Sequence, residues 1–241
     1  VPTVQENQAG FHRFAKRVGA KLGYQVGNTG QRVDWGLLDA ALVAAEAPIP
    51  DGAPAVRYHQ EFDKETTFAA RPLVRAHTRT VRSFVNCFGP SHFPEQWERF
   101  CAFERLQAGF HLRVHGHDGR SGLVQPTSLL AAEMARSGVG WHDKPRGDGV
   151  GHVVPYWAAV GRPLIGTAAY YRGRMAEQLW DDGVTSINLA GKSIEQVAAE
   201  VEKIAADPER HAEMGRAIRA RLDALVDFDA EERAIRNLLG L

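Results

Sequence analysis

Residues 144–152 read Lys144-Pro145-Arg146-Gly147-Asp148-Gly149-Val150-Gly151-His152, a run dense in glycine and cations. Glycines let a backbone approach a ligand closely, and a helix beginning just beyond them adds main-chain N–H groups and the positive end of its dipole. Lys144 and Arg146 supply charge-assisted donors for the same anion. The chemistry that fits is capture of a phosphate or diphosphate, with Gly149, Val150 and Gly151 as backbone donors and His152 at the helix start. The spacing is neither the dinucleotide fingerprint nor a Walker loop. A tight glycine turn that binds nothing is the alternative, and a position after a strand weighs against it.

Other groupings carry chemistry too. The run Ala168-Ala169-Tyr170-Tyr171-Arg172-Gly173 places Tyr170 and Arg172 where they suit a diphosphate and a base or ribose; a surface turn with snorkelling side chains is the competing explanation. His59-Gln60-Glu61 packs base, amide and acid together at a strand end, which makes His59 a candidate for acceptor-side acid–base work, and a solvated edge strand explains it as well. His111, His115, His117 and Asp118 suggest metal, but without a helical His pair or a Cys partner they read as a polar strand end, and no metal ligand is assigned. Serine-nucleophile elbows and zinc-protease motifs are not found in the sequence.

Regular elements must hold these loops. From residue 80 onward, strand-like runs at 81–88, 110–115, 139–142, 163–166 and 185–189 each precede a helical pattern. Pro94 marks a helix start, Gly109, Gly138 and Gly161 mark ends, and Ser193 with Gln196 forms a capping box. Five strand–helix units imply parallel strands with crossover helices, an α/β, doubly wound Rossmann-type sheet. Ligands bind such sheets at the C-terminal strand ends, where the loops above fall. Two helices, 208–225 and 229–239, close the chain, the first with a stripe of Met214, Ile218, Leu222 and Leu225.

Upstream, a capping box at Thr3 and Glu6 opens a helix over 4–18, followed by strands near 22–26, 40–45 and 56–62. The mixed-charge stretch 63–79 reads as a linker. The expected domains are a partial Rossmann-like one over 1–75, a complete one over 76–226, and a C-terminal helix over 227–241. Val1 standing at a helix start suggests a processed chain or a piece of a longer one.

Composition bounds the function. The 241 residues carry 29 Lys+Arg against 29 Asp+Glu, so no basic excess favours a nucleic-acid partner. Trp35, Trp97, Trp141, Trp157 and Trp180 are scattered, as core residues are, rather than grouped as a stacking platform. Cys87 and Cys101 are too few for a disulfide framework and read as reduced and buried. No transmembrane run or secretory signal is recognisable, which leads to an expected cytoplasmic location.

The stretch from Asp148-Gly149-Val150-Gly151 to Ala158-Ala159-Val160-Gly161-Arg162-Pro163-Leu164-Ile165, followed by Ala176-Glu177 and Asp182-Gly183, resembles the donor half of GT-B-type glycosyltransferases. Retaining members have two glutamates eight positions apart; Asp148 and Tyr156 stand there in this chain. The tail, with Asp207-Pro208-Glu209-Arg210 and Met214-Gly215-Arg216, is similar too. The resemblance implies sugar transfer from a UDP- or GDP-type nucleotide sugar to a glycan, lipid or small-molecule hydroxyl, with retention, no metal and no resident cofactor. It implies that Asp148 touches the sugar, Tyr156 the ribose, and that the N-terminal part is the acceptor side. A nucleotide-sugar epimerase of the same architecture and a non-catalytic nucleotide- or sugar-binding protein are the alternatives.

Overall fold

The computed structural model describes residues 4–26, 32–44, 48–145 and 152–241. The proposed Thr3 cap lies outside them. The chain divides into two compact units, Val1–Glu61 with Val226–Leu241, and Phe62–Leu225. This division precedes residue 75, and the C-terminal helix, expected to stand apart, belongs with the N-terminal residues.

The first unit holds helix α1 (Val4–Val18), strands β1 (Gly23–Val26), β2 (Ala40–Val43) and β3 (Ala55–Arg57), and the C-terminal helix, numbered α7 below (Phe228–Leu239). The strands are parallel in the order β1-β2-β3. As the middle strand, β2 is built from small and branched residues, with Ala41 and Val43 fully buried beside Val26 and Leu38. β3 is shorter than the expected 56–62, because the ladder closes after Tyr58, whose N–H donates to the Val43 carbonyl at 3.1 Å. From Gly10 onward in α1, Ala15 is buried, while Phe11, Phe14 and Val18 are exposed. The side chain of Asp227 accepts from the Ala230 N–H at 2.9 Å and caps α7, which packs on β2 and β3.

The second unit runs β4 (Thr80–Ser83), α2 (Pro94–Leu106), β5 (His111–Val114), α3 (Thr127–Ala135), β6 (Val139–Trp141), α4 (Val153–Ala159), β7 (Leu164–Gly166), β8 (Ser186–Asn188), α5 (Ile194–Ala206) and α6 (Pro208–Leu225). All five strands are parallel, ordered β5-β4-β6-β7-β8, as the alternation of strand and helix signals requires. One crossover differs from expectation. Between β7 and β8 the chain forms two 3-10 turns, Ala168–Tyr171 and Met175–Leu179, in place of an α-helix. Gly173, at φ 71°, interrupts the run, and Tyr171 stacks on Trp180 with ring centroids 4.6 Å apart, which folds the connection back on itself.

The core lies between the sheet and its helices. Val81, Val114, Val139, Trp141, Ile165 and Ile187 meet Phe100 and Phe103 of α2 and Val197 and Val201 of α5. Gly140 of β6 is required by packing, since a Cβ there would lie 2.5 Å from the Trp157 ring. Met214, Ile218 and Leu222 of α6 are buried, as their spacing implies, while Leu225 is only partly so. Arg162 is buried and satisfies main-chain carbonyls: it donates to those of Val160 and Gly161 at 3.1 Å each, Arg71 at 2.9 Å and Ala135 at 2.6 Å.

The stretch 63–79 is not a linker. Phe62 and Phe68 pack edge-on at 5.6 Å, Asp63 accepts from the N–H groups of Thr66 and Thr67 at 2.8 and 3.1 Å, and Lys64 pairs with Asp223 at 3.0 Å. Its mixed charge serves local turns and ion pairs. Both cysteines are free, and both are partly exposed rather than buried. Among the described residues no helix is long and apolar enough to cross a membrane.

Candidate functional site

After β4 the chain moves outward to β5 and then crosses to the other side of β4 as β6. The strand order reverses there, so the crevice at the C-terminal ends of β4 and β6 is where a doubly wound sheet takes its ligand. The loop beginning at Lys144 leaves the end of β6 and leads into α4. Lys144 is half-buried at its start, whereas Arg146, Asp148, Gly149, Val150 and Gly151 lie outside the described residues.

A buried charged group, not singled out from sequence, anchors the loop. Asp143 is fully buried; its carboxylate accepts from the Thr167 hydroxyl at 2.7 Å and the Arg99 guanidinium at 2.9 Å, and Arg99 also donates to the Thr167 oxygen at 3.2 Å. Burial pushes the Asp143 carboxyl above its ordinary value, against the opposing pull of Thr167 and Arg99. Asp143 follows β6, Thr167 follows β7 and Arg99 stands in the middle of α2, and no sequence motif connects them. The available signal was only an acid immediately following a strand.

His152 and Tyr156 belong to an aromatic cluster. Their rings stack 5.3 Å apart, Tyr156 stacks on Phe68 at 4.0 Å, and Phe62 meets it edge-on at 4.9 Å. Burial lowers the His152 pKa and raises that of the Tyr156 phenol. After β7, Tyr170 is half-buried, its hydroxyl accepting from Gln96 of α2 at 3.1 Å, and Arg172 is exposed. Tyr171, its neighbour, is wholly a core residue. His111 is exposed at the start of β5, and His115 stacks on Phe84 at 5.1 Å.

In the first unit, His59 follows β3 and is held by Glu231 of α7. His59 Nδ1 lies 2.6 Å from one carboxylate oxygen, and the His59 backbone N–H donates to the other at 2.7 Å. Both side chains are largely buried, at 11% and 16% exposure, and line a cavity of about 450 Å³ with Tyr58, Glu61, Phe228 and Arg236. His59 Nε2 makes no hydrogen bond among the described residues. A His whose one nitrogen is fixed by a carboxylate presents the other as a proton acceptor. Glu231 was beyond reach of sequence reasoning, since 172 positions separate the partners.

No family model and no curated protein sequence matches the chain. Solved structures do. HepE from Anabaena in complex with UDP-glucose aligns at a TM-score of 0.66 and 11% identity, over 99% of this chain and 77% of that one. Sucrose-phosphate synthase from Thermosynechococcus elongatus aligns at 0.65 and 14%, over 98% and 77%. An alpha-glucosyltransferase in complex with UDP-glucose and DNA containing an abasic site aligns at 0.61 and 7%, over 100% and 79%. At these identities the likeness is one of fold, and the fold is the α/β, GT-B type that glycosyltransferases share.

Proposed function

We propose that the chain is a glycosyltransferase that moves a sugar from a nucleoside-diphosphate sugar to a hydroxyl of a glycan, lipid or small-molecule acceptor. The observation that carries this reading is the glycine- and cation-rich loop from Lys144 to His152 leaving β6 at the reversal of strand order. Structures of the same fold that contain UDP-glucose support it.

In the reaction the bond from the anomeric carbon to the diphosphate oxygen breaks, a bond to the acceptor oxygen forms, and the hydroxyl proton passes to a base. The leaving diphosphate gains negative charge, so catalysis rests on donors already aimed at it. Lys144, Arg146 and the N–H groups of Gly149, Val150 and Gly151 are assigned that task, with His152 at the start of α4. Asp148 is assigned to the sugar hydroxyls. Tyr156 is assigned to the ribose through its hydroxyl, since its ring packs against Phe62, Phe68 and His152. Tyr170 and Arg172 are assigned to cover the nucleotide. The His59–Glu231 pair is assigned acceptor-side acid–base work. A UDP- or GDP-type donor is a co-substrate, and the reading requires no resident cofactor. Two unpaired thiols support a cytoplasmic location.

Calorimetric titration with UDP, GDP and ADP, followed by transfer assays with the matching labelled nucleotide sugars, tests the proposal. Binding of one nucleotide together with label in an acceptor supports it. If no nucleotide binds below the millimolar range and Lys144→Ala changes nothing, the donor site is lost. Binding without transfer would favour a binding protein, and an epimerised donor without any acceptor would favour an epimerase.

A further inference from the structure

Three side chains of types that can ligate a metal converge from two loops beyond the ends of β4 and β5. Cys87 comes from the loop after β4, and His117 and Asp118 come from the loop after β5. His117 Nδ1 lies 3.8 Å from Cys87 Sγ and 3.1 Å from Asp118 Oδ2, and the three ligand atoms are all within 4.8 Å of one another. Tetrahedral zinc, with bonds of about 2.3 Å to sulfur and about 2.0–2.1 Å to nitrogen and oxygen, has a sulfur–nitrogen edge of about 3.6 Å and a nitrogen–oxygen edge of about 3.3 Å. Each measured edge is within about 0.2 Å of that geometry.

The backbone ties the loops together. The Cys87 N–H donates to the His117 carbonyl at 2.6 Å, and the His117 N–H donates to Asn86 Oδ1 at 2.9 Å. The approach is close enough that a Cβ on Gly116, at φ 121°, would lie 3.0 Å from both Asn86 Oδ1 and the Val85 carbonyl oxygen. Cys87 and Asp118, both at φ 58°, are the two non-glycine residues with positive φ among the described residues. That conformation is uncommon for residues with a Cβ, and here both instances fall within one three-residue cluster.

We propose that Cys87, His117 and Asp118 bind a divalent transition-metal ion of the zinc class, leaving a fourth position to water. Thiolate and imidazole select a borderline-soft ion over magnesium or calcium, and thiolate plus carboxylate balance its two charges. The His117 and Asp118 side chains are 67% and 64% exposed, so the ion has an open path. The site goes beyond sugar transfer, and no step of the transfer passes through it.

The probes are cobalt and zinc chlorides added to the metal-stripped full chain. One cobalt ion per chain should bind with a thiolate-to-cobalt charge-transfer band, and zinc should displace it. Cys87→Ser should abolish the band and weaken zinc binding about tenfold or more. His117→Ala and Asp118→Asn should weaken binding, and Cys101→Ser should leave band and affinity intact. Zinc should raise the melting temperature of the unaltered chain but not of Cys87→Ser, whose metal-free melt serves as the folding control. No thiolate band, a band that survives Cys87→Ser, or one lost only in Cys101→Ser would overturn the site.

Discussion

Glu231 grips His59 twice, at the ring Nδ1 and at the backbone N–H, with its two carboxylate oxygens. One carboxylate thus sets both the ring tautomer and the path of the chain leaving β3, and it leaves Nε2 as the group able to accept a proton. A base oriented by an acid is the arrangement that proton-transfer sites reuse on unrelated folds.

If the pair takes the acceptor proton, Glu231→Gln should lower kcat by about 10²–10⁴-fold while leaving nucleotide affinity unchanged. His59→Ala should do the same, and the double variant should be no worse than either single one, because the two act as a unit. Transfer assays and nucleotide titration on the three variants check this. Undiminished kcat in Glu231→Gln would leave the pair a structural tie between β3 and α7.

Arg99 faces a fully buried carboxylate, so its loss should be felt in proportion to the charge on Asp143. The Asp143 pKa is raised above 3.8 in the folded protein. The stability that accompanies its protonation is therefore present below 3.8 and fades as pH rises through the raised value. In Arg99→Leu the carboxylate loses its cation, so the deficit should be small near about pH 4 and grow to about 2–4 kcal/mol near about pH 7. Urea melts at the two pH values measure it. A deficit that does not change with pH would mean that Arg99 acts through packing alone.

What the sequence makes legible is local. Pro208 and the four-residue stripe from Met214 delimit α6 at Pro208–Leu225, and Ser193 with Gln196 forms the reciprocal cap of α5. The central strands β6 and β7 announce themselves by short apolar runs, because strands buried on both faces need them, whereas the edge strand β5 alternates exposed and buried positions. The connection from β7 to β8 misleads because Ala176 and Glu177 are good helix formers, while Gly173 and the Tyr171–Trp180 stack decide the outcome. Partners across the fold carry no local mark. Asp143 meets Arg99 and Thr167, Glu231 meets His59, and Cys87 meets His117 only after the strands align.

Arg162 donates to four main-chain carbonyls, and burial draws its pKa down to about 10. Arg162→Met would leave those acceptors unsatisfied and should cost about 3 kcal/mol or more. Arg162→Lys should recover little, since one ammonium cannot reproduce a planar fork that sets one nitrogen on the Val160 and Gly161 carbonyls and the other on those of Arg71 and Ala135. Denaturant melts measure both variants. A fully stable lysine variant would show that charge, rather than the geometry of the fork, matters at this position.

Lys144 tests the donor site most directly, because it stands just beyond the end of β6, next to Asp143, whose carboxylate Thr167 and Arg99 hold. An ammonium that donates to a diphosphate is worth about 1.5–3 kcal/mol, so Lys144→Ala should weaken nucleoside-diphosphate affinity about 10–100-fold. Removing one positive charge from an anion site should also make the affinity less sensitive to added salt, which steric damage to the loop would not do. Because the side chain is only half-buried at the edge of the fold, the melting temperature should stay within a few degrees of the unaltered protein. Titrations with nucleotide at low and high salt, paired with thermal melts, separate these outcomes. Unchanged affinity at both salt concentrations would remove Lys144 from the site, whereas lost affinity with a lowered melting temperature would assign it to the support of the loop.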